Sequence, residues 1–345
     1  MRIAVMGAGS IGTIVGAYLS AQGLDVDLIT RNRAQVEALN QFGARITGAT
    51  EWTVPVRALT PDQMKGTYDL VLFFTKQGQN HEVLKHLLGY LGPQSIVCSL
   101  QNGIPEADIA AIVGPERVIG GSIEFGATGT LPGVSRLTTS LEHLKQYAFQ
   151  IGELNGQITD RIHVVQSILA HVGGTHISQN LVGTKWSKLW LNVTFGGLSA
   201  ALGATFGEVI DNDVALRSAV FLSNETLKVG HACSVQFAPL FRFDVESCEI
   251  YQTKDVIPYM EMLRRVISPG RAVKSSILQD LEKNRPTEIS YINGVITRLG
   301  KEKGIPTPFN HLVVKLVRQA EKTHSLPTFS RNLRFFKELL TQESF

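Results

Sequence analysis

The first half of the chain alternates short apolar runs with segments of helical periodicity. Strong apolar runs occupy residues 3–6, 26–30, 70–74 and 95–100, and weaker extended segments occupy 44–47, 53–57, 118–122, 134–138 and 148–152. The patterns between them predict helices over residues 13–22, 34–40, 80–91 and 159–172. Short apolar runs are typical of buried strands. Because such strands alternate with helices, we predict a parallel, doubly wound sheet.

The pattern changes near residue 180. Apolar positions then recur with helical spacing over residues 182–202, 213–232, 259–263, 275–283, 288–303 and 308–324, whereas 236–256 is rich in loop-forming residues. No convincing strand is found there. At 345 residues the chain also exceeds the usual size of a single core. We therefore predict an α/β protein with two domains, an N-terminal sheet domain over residues 1–178 and an all-helical domain over residues 179–345.

A glycine-rich turn joins the first apolar run to the first helix. It reads Gly7-Ala8-Gly9-Ser10-Ile11-Gly12. The first glycine allows a tight bend, the second lets the backbone approach a pyrophosphate, and the third lets the helix pack against the strand. The helix N-terminus then faces the phosphates with free N–H groups. Because the turn lies in a complete strand–turn–helix–strand unit, we predict a Rossmann-type dinucleotide site formed by these six residues.

The end of the second apolar run distinguishes between the two nicotinamide nucleotides. NAD sites usually carry an acid there for the ribose hydroxyls, whereas NADP sites carry an arginine for the 2′-phosphate. This chain has Arg31 and Arg33 there, and Asp27 lies inside the run. A guanidinium group binds phosphate in bidentate fashion. Arg31 therefore favours NADPH, and the alternative is that both arginines are ordinary solvated turn residues.

Composition and charge argue against a membrane-spanning protein and against a nucleic-acid-binding protein. No apolar run reaches the ~18 residues of a membrane span. The net charge of +3 is too small and scattered to indicate nucleic-acid binding. Residues 1–180 carry 12 Lys and Arg against 14 Asp and Glu, and the rest 21 against 16, a bias that suits an anionic substrate. The three cysteines, Cys98, Cys233 and Cys248, fit a reducing cytoplasm better than a disulfide framework or a metal site.

One predicted helix places a lysine among tryptophans. Lys188, Asn192 and Gly196 are spaced i, i+4 and i+8, so they share one helix face. A lysine in an otherwise buried segment either extends its amine to water or serves chemistry, and the sequence leaves both alternatives open. We expect Lys185, one turn earlier, to be the solvated lysine.

Three more polar residues stand where ligands often bind. Lys76 and Asn102 each follow an apolar run, and open α/β sheets bind ligands at the carboxyl ends of their strands. Glu288 follows Pro286, a residue that suits the first turn of a helix, so its carboxylate should lie near a helix N-terminus. A capping role is the alternative to a functional one for Glu288.

Together these elements resemble the ketopantoate reductase (2-dehydropantoate 2-reductase) family, in the family's order and over nearly the whole chain. The matching elements are Gly7-x-Gly9-x-x-Gly12 with Arg31, Thr75-Lys76, Gln101-Asn102-Gly103, Gly126-Ala127-Thr128 with Pro132-Gly133-Val134, the 185–192 helix, Ser275-Ser276-x-Leu278-Gln279-Asp280, and Thr287-Glu288-Ile289-x-Tyr291-Ile292-Asn293-Gly294.

The resemblance implies NADPH-dependent reduction of ketopantoate to pantoate, a step of pantothenate biosynthesis. It makes Lys188 the general acid that protonates the developing alkoxide, and Glu288 its charged partner. Asn102 positions nicotinamide and substrate, while Lys76 helps to bind the cofactor or to orient the lysine. A cationic donor suits the reaction, because hydride addition builds negative charge on the carbonyl oxygen.

The resemblance also implies a substrate site and a partner. Asn192 and Ser276 are expected to hold oxygens of a small anionic 2-oxo acid. No metal, nucleic acid or membrane is expected as a partner, and the sequence leaves open whether the protein forms a homodimer.

Two positions depart from the family pattern. Members with the pantoate activity often carry Asn eight residues after the lysine and three before the second serine, where this chain has Gly196 and Val273. Both changes remove hydrogen bonds to a polar substrate tail. One alternative is therefore a same-family reductase of a more apolar 2-oxo acid. Another is an NADP(H)-binding regulatory protein without turnover, against which the presence of Lys188 and Glu288 argues.

Overall fold

The computed structural model describes residues 1–240 and 243–342. The chain divides into two compact units, Met1–Leu181 and Val182–Phe345. The predicted loop-rich stretch 236–256 includes Phe241 and Arg242, which lie outside the described residues.

The first unit contains all the strands of the described residues, together with six helices. The strands are β1 (Arg2–Met6), β2 (Asp25–Ile29), β3 (Ala44–Gly48), β4 (Trp52–Val54), β5 (Arg57–Leu59), β6 (Tyr68–Phe73), β7 (Leu91–Ser99), β8 (Val118–Ile123), β9 (Ala127–Leu131), β10 (Val134–Leu137), β11 (Phe149–Glu153) and β12 (Thr175–Ile177). The helices are α1 (Ser10–Ala21), α2 (Arg33–Phe42), α3 (Asn80–Leu87), α4 (Glu106–Val113), α5 (Leu141–Gln146) and α6 (Asp160–Leu169).

Eight strands form the main sheet in the order β12-β11-β8-β7-β6-β1-β2-β5. All neighbours are parallel except β8 and β11, which pair antiparallel. The apolar faces of this sheet are covered by helices, and residues such as Ile3, Val5, Leu70 and Leu72 are fully buried. The predicted Rossmann-type doubly wound sheet is thus confirmed, with two strands at one side, β11 and β12, that run opposite to the other six.

The carboxyl ends of β7, β6, β1 and β2 lie side by side at one edge of the sheet. The backbone shows their adjacency directly: the N–H of Leu100 donates to Phe73 O at 3.0 Å, that of Phe74 to Met6 O at 2.8 Å, and that of Gly7 to Ile29 O at 2.9 Å. Consequently Asn102, Lys76, the Gly7–Gly12 turn and Arg31 all follow strands that end next to one another.

Three of the weaker extended segments, 44–47, 53–57 and 134–138, contribute strands to a separate sheet, whereas 118–122 and 148–152 belong to the main one. The order of the separate sheet is β4-β3-β10-β9, with β3 and β10 parallel and the other pairs antiparallel. Helix α1 packs against it. Four helices were not predicted: α4, α5 and, in the second unit, the helices Phe206–Asp211 and Phe329–Leu340. Two of these, α5 and Phe206–Asp211, have only six residues each. Such short helices show little periodicity.

The regular elements of the second unit are helices, as predicted, and its described residues contain one isolated β-bridge, between Leu240 and Phe243, but no strand. Its helices are α7 (Leu181–Leu191), α8 (Leu198–Leu202), α9 (Phe206–Asp211), α10 (Asp213–Ala232), α11 (Val256–Ile267), α12 (Ser276–Glu282), α13 (Asn293–Lys303), α14 (Pro308–Thr323) and α15 (Phe329–Leu340). A π-helical turn, Asn192–Gly197, joins α7 to α8, so the helix predicted over 182–202 is not uniform. Among the described helices, none combines the length and apolarity needed to cross a membrane.

The prediction that a long helix begins near Glu288 is wrong. Glu288 precedes a single 3₁₀ turn, Ile289–Tyr291, and α13 begins only at Asn293. Ile292 interrupts the helical path, with φ −112° and ψ −94°. The side chain of Asn293 is fully buried beyond this break and hydrogen-bonds to two other segments.

A buried charge stabilises the amino-terminal half of β2. The Asp27 carboxylate is 0% exposed and accepts hydrogen bonds from Arg2 Nη2 at 2.9 Å and Tyr68 OH at 2.7 Å, and it also pairs with Arg57. Burial and the hydrogen bond to Asp27 raise the pKa of Tyr68. A buried carboxylate is tolerated only when its lone pairs are satisfied in this way.

We therefore expect Asp27→Ala to lower the free energy of unfolding by about 2–4 kcal/mol, because it leaves the buried Tyr68 hydroxyl and two arginines without their shared acceptor. Asp25→Ala is the matched control, since Asp25 pairs with the same Arg57 but is 52% exposed and should change stability by less than ~0.5 kcal/mol. Urea unfolding followed by circular dichroism measures both. Equal losses would show that the buried network contributes no more than a surface ion pair.

Candidate functional site

The turn after β1 requires glycine at two of its three glycine positions. Gly7 has φ +107°, and a Cβ on it would lie 2.8 Å from Thr75 N. A Cβ on Gly12 would lie 2.3 Å from Gly7 O and 3.2 Å from Val5 Cγ1. Either side chain would push α1 or the neighbouring strand away. These contacts show how the first and third glycines let the helix begin directly above the strand.

The second glycine faces open space. A Cβ on Gly9 would meet no other atom within 4 Å. Gly9 is the N-cap of α1, and the first turn of this helix contains no acidic residue. The N–H groups of the first turn therefore meet neither a side-chain cap nor a carboxylate that would repel an anion. This geometry fits a pyrophosphate, which helix N-termini bind through such N–H groups.

Side chains from distant segments hold this turn in place, and no sequence pattern pointed to Gln35 or Ser135. Gln35 Nε2 donates to Ala8 O at 3.3 Å and to Thr13 Oγ1 at 3.1 Å, while its Oε1 accepts from Gly133 N at 2.9 Å. Ser135 Oγ donates to Ser10 O at 2.7 Å. The turn is therefore supported by α2 and by the β9–β10 hairpin together.

Arg31 lies just beyond the end of β2 and is accessible. Its side chain is 52% exposed, and its Nη1 lies 3.7 Å from Glu82 Oε1, which is 75% exposed. Asp27, the buried one of the two acids of this strand, is bound to Arg2, Arg57 and Tyr68. Of these two residues, the arginine is thus the one placed to meet a ligand at the strand end.

Lys76 and Asn102 belong to two loops that are joined by buried carboxamides. Gln77 Nε2 donates to Asn102 O at 2.6 Å. Asn80 and Gln101 exchange hydrogen bonds, Nδ2 to Oε1 at 3.0 Å and Nε2 to Oδ1 at 2.7 Å. The three carboxamide residues are each at most 8% exposed, whereas Asn102 is exposed and Lys76 half-buried. The carboxamides were not predicted as site residues, although Gln101 lies in a matched motif.

Lys188 projects from a helix that is anchored through its other residues. Trp190 Nε1 donates to Ser223 Oγ at 2.6 Å, and Ser187 Oγ donates to Ala238 O at 2.5 Å. Lys188 itself is half-buried. Lys185 is only 3% exposed, so the expectation that it is the solvated lysine is wrong. The helix is packed so tightly on that side that its lysine is covered.

The π-helical turn after α7 places Gly196 beside the candidate substrate residue Asn192 and beside Ser275, which directly precedes another candidate. A Cβ on Gly196 would have as its nearest neighbours Asn192 Cβ and Ser275 Cβ, both at 3.9 Å. Ser275 is buried and caps α12, accepting a hydrogen bond from Leu278 N. The predicted substrate residue Ser276 follows it and is exposed. The structure thus brings Asn192, Gly196 and the start of α12 together.

Val273 and Glu288 lie on segments adjoining this region. Val273 is 44% exposed and precedes α12, and its carbonyl accepts from Phe206 N at 3.0 Å. Glu288 is half-buried, and its carbonyl accepts from Tyr291 N at 2.9 Å to close the 3₁₀ turn. Neither contact assigns a role to the side chain, so both assignments remain predictions.

The two sets of residues differ in chemistry. The first unit presents an uncapped helix N-terminus, an arginine and a lysine, a combination that suits the phosphates of a dinucleotide. The second unit presents an amine, a carboxamide, a hydroxyl and a carboxylate, the groups with which a protein holds and protonates a small oxygen-rich substrate. Among the described residues no group of His, Cys, Asp and Glu side chains could hold a metal ion.

Comparison with known proteins identifies a family along most of the chain. Residues 3–156 match the family described as ketopantoate reductase PanE/ApbA, and residues 180–321 match its C-terminal domain. A 2-dehydropantoate 2-reductase of Pyrococcus horikoshii is 30% identical over 323 residues, which cover 93% of this chain and 98% of that protein. The enzyme of the same name from Mesorhizobium japonicum is 26% identical, covering 92% and 97%.

Solved structures show the same fold. A PanE/ApbA family ketopantoate reductase from Ralstonia eutropha superposes with a TM-score of 0.79 at 26% identity, over 94% of this chain and 99% of that chain. A D-mandelate dehydrogenase in complex with NADH and anilino(oxo)acetate reaches 0.81 at 24% identity, over 94% and 100%, a likeness of fold.

The predicted resemblance is therefore confirmed by matches to both the N-terminal and the C-terminal domain of the family. With two matched domains and relatives aligned over almost their full length, the chain belongs to the ketopantoate reductase family of nicotinamide-dependent oxidoreductases, which act on CH–OH groups.

Proposed function

We propose that this protein uses NADPH to reduce a 2-oxo acid to the corresponding 2-hydroxy acid, with ketopantoate, and hence pantothenate biosynthesis, as the first candidate. The observation that carries this proposal is the half-buried Lys188 on an anchored helix, one turn from Asn192 and two turns from Gly196, which has room for a Cβ. The proposal concerns the cofactor, the proton donor and the substrate, and each part has its own support.

The preference for NADPH is supported by the end of β2. NAD sites use an acid there to bind the ribose hydroxyls, but Asp27 is buried and its oxygens are occupied. Arg31 is half-exposed, and within the described part of the chain its ion pair is a long contact, 3.7 Å, to an exposed carboxylate. A guanidinium group can exchange such a weak surface partner for a 2′-phosphate at little cost.

Lys188 is proposed as the proton donor. Bound NADPH supplies the hydride, and the carbonyl oxygen gains negative charge as the hydride arrives. A lysine ammonium stabilises that charge and transfers its proton. The rotation of α7 is set by Trp190 and Ser187, so Lys188 is held on a rigid element. We assign Glu288 as its charged partner and Asn102 and Lys76 as the residues that position nicotinamide and cofactor.

The substrate is proposed to lie against Asn192 and Ser276. A carboxamide and a hydroxyl suit the carboxylate and carbonyl oxygens of a 2-oxo acid. Beside them, Gly196 leaves space where a longer side chain would fit, because no atom would approach its Cβ closer than 3.9 Å. This space favours, as a second candidate, a 2-oxo acid with a larger and more apolar tail than ketopantoate.

The decisive assay measures loss of reduced-nicotinamide absorbance with ketopantoate and with branched and aromatic 2-oxo acids. Turnover of any of them supports the reductase assignment. NADPH binding without oxidation of the cofactor across the whole panel would indicate a regulatory protein instead.

Arg31→Ala should raise the Kd of NADPH by about 10–100-fold, because charge-assisted hydrogen bonds to phosphate are worth about 1.5–3 kcal/mol. The Kd of NADH should change less than about threefold, since NADH has no 2′-phosphate. Glu82→Gln is the matched control: it removes the carboxylate near Arg31 and should leave NADPH binding equal or tighter. Fluorescence titration of the unaltered protein and of both variants measures these dissociation constants. Equal losses for both cofactors would contradict the NADPH assignment.

Lys188→Ala should lower kcat by at least about 10²-fold with NADPH affinity nearly unchanged, because the lysine acts mainly in the transition state. Lys228→Ala, an exposed lysine of α10, is the control and should retain full activity. Steady-state kinetics and cofactor titration provide the measurement. Near-normal turnover of a folded Lys188→Ala protein would make this lysine a structural one.

Gly196→Asn should shift preference towards ketopantoate, and the double change with Val273→Asn should shift it further, since the carboxamides offer partners to the tail hydroxyl. In the unaltered protein, kcat/KM for at least one branched or aromatic 2-oxo acid should equal or exceed that for ketopantoate. Competition between substrates measures the ratio. A clear ketopantoate preference of the unaltered protein would remove the specificity argument but leave the reductase assignment standing.

A further inference from the structure

One buried side chain, that of Asn293, hydrogen-bonds to the backbone of the π-helical turn Asn192–Gly197. Asn293 is 0% exposed, and its Nδ2 donates to Val193 O at 3.2 Å. Val193 belongs to the π turn. In a π turn, hydrogen bonds run from residue i to i+5, so the turn contains one residue more than the α-helical pattern and changes which side chains face a given direction. An additional donor to its backbone helps to hold that irregular path.

The Asn293 side chain also occupies the space that a Cβ on residue 197 would need. A Cβ on Gly197 would lie 2.0 Å from Asn293 Oδ1 and 2.9 Å from its Nδ2. Gly197 has an ordinary helical backbone, φ −68° and ψ −46°, so the residue is not required for its conformational freedom. It is required because the carboxamide of Asn293 lies against its Cα. The adjacent Gly196 has no such neighbour.

Asn293 is in turn positioned by two further buried residues. Its Nδ2 also donates to Asn310 Oδ1 at 2.9 Å. Asn310 donates to Glu225 Oε2 from its backbone N at 3.0 Å and its Nδ2 at 2.7 Å, and Phe309 N donates to Glu225 Oε1 at 2.8 Å. A chain of hydrogen bonds thus runs from α10 through the start of α14 and the start of α13 to the π turn.

This arrangement is not optimised for stability alone. Among the described residues, the buried Thr194 Oγ1 of the π turn and Asn293 Oδ1 have no hydrogen-bond partner. Buried polar atoms without partners are destabilising, and where a native structure retains them they often accompany a functional constraint. π turns themselves are frequent at functional sites.

We propose that Asn293 is a positioning residue, which holds the π turn through Val193 O and the Gly197 backbone and thereby sets the direction of Asn192 and Gly196 towards the substrate. The proposal rests on the proposed role of Asn192 in binding a 2-oxo acid. Because Asn293 follows Glu288 by five residues, it also ties the segment that carries this proposed charged partner to the helix that carries Lys188. Asn293 touches no reacting atom and acts through Asn192.

The test compares Asn293→Ala with Asn332→Ala. Asn332 is a matched control, since it is also buried and its Nδ2 donates to a backbone carbonyl, Ala201 O, at 2.8 Å, but in α8 rather than in the π turn. Asn293→Ala should lower kcat/KM by about 10²-fold, the loss expected when a catalytic group moves by about 1 Å. Asn332→Ala should leave kcat/KM unchanged, and both variants should retain the NADPH Kd. Asn293→Ser, which keeps one donor, is the milder variant if the alanine variant folds poorly.

Two readouts separate positioning from general destabilisation. Hydrogen exchange of the amides over residues 192–198 should become at least about tenfold faster in the Asn293 variants and not in Asn332→Ala, because only the former lose a hydrogen bond to the turn. In a double-mutant cycle, Asn192→Ala combined with Asn293→Ala should have the kcat/KM of Asn192→Ala within about twofold, since Asn293 acts through Asn192.

Full additivity in that cycle, or unchanged exchange over residues 192–198, would overturn the proposal. If the unaltered protein reduces no 2-oxo acid, the proposed function is overturned. The exchange measurement needs no substrate, so it still decides whether Asn293 stabilises the π turn. Equal loss of kcat/KM in Asn332→Ala would show that buried packing in general, and not this contact, controls activity.

Discussion

The candidate cofactor site depends on the absence of a side chain at residue 12. A Cβ there would lie 2.3 Å from Gly7 O, so α1 could not begin where it does with any other residue. Because the helix begins directly after the turn, its N-terminal N–H groups lie at the carboxyl edge of the sheet, next to the loops that carry Lys76 and Asn102. The arrangement of the first unit's candidate residues follows from this one close approach.

Much of the fold could be predicted from the sequence, because buried parallel strands have a strong local signature. The strands β1, β2, β6 and β7 were identified from apolar runs, and the polar residues that follow them were identified as ligand candidates on the same ground. The small sheet was not predicted, since it pairs β3 with β10 across most of the unit. Pairing between distant segments leaves no local pattern in the chain.

The second unit shows why side-chain environments were harder to predict. The α and π turns of the 182–202 segment have similar apolar spacing, so sequence could not distinguish them. Lys185 was expected in solvent because lysine usually is, yet it is covered by packing. Gly196 and Gly197 look equivalent in the sequence. In the structure, a Cβ on Gly196 would make only ordinary contacts at 3.9 Å, whereas a Cβ on Gly197 would overlap a buried carboxamide, so only Gly196 could be replaced without displacing a neighbour.

The support that the β9–β10 hairpin gives to the nucleotide turn also bears on how the first unit folds. Gln35 binds Gly133 N across 98 residues, and Ser135 binds Ser10 O across 125. Contacts of such high sequence separation close long loops at a cost in chain entropy, and they cannot form until both segments have been synthesised. During synthesis, a nascent chain that ends before residue 133 already contains every glycine of the turn and Arg31, but lacks these two hydrogen bonds. Completion of the cofactor loop is therefore coupled to the emergence of a segment well beyond it.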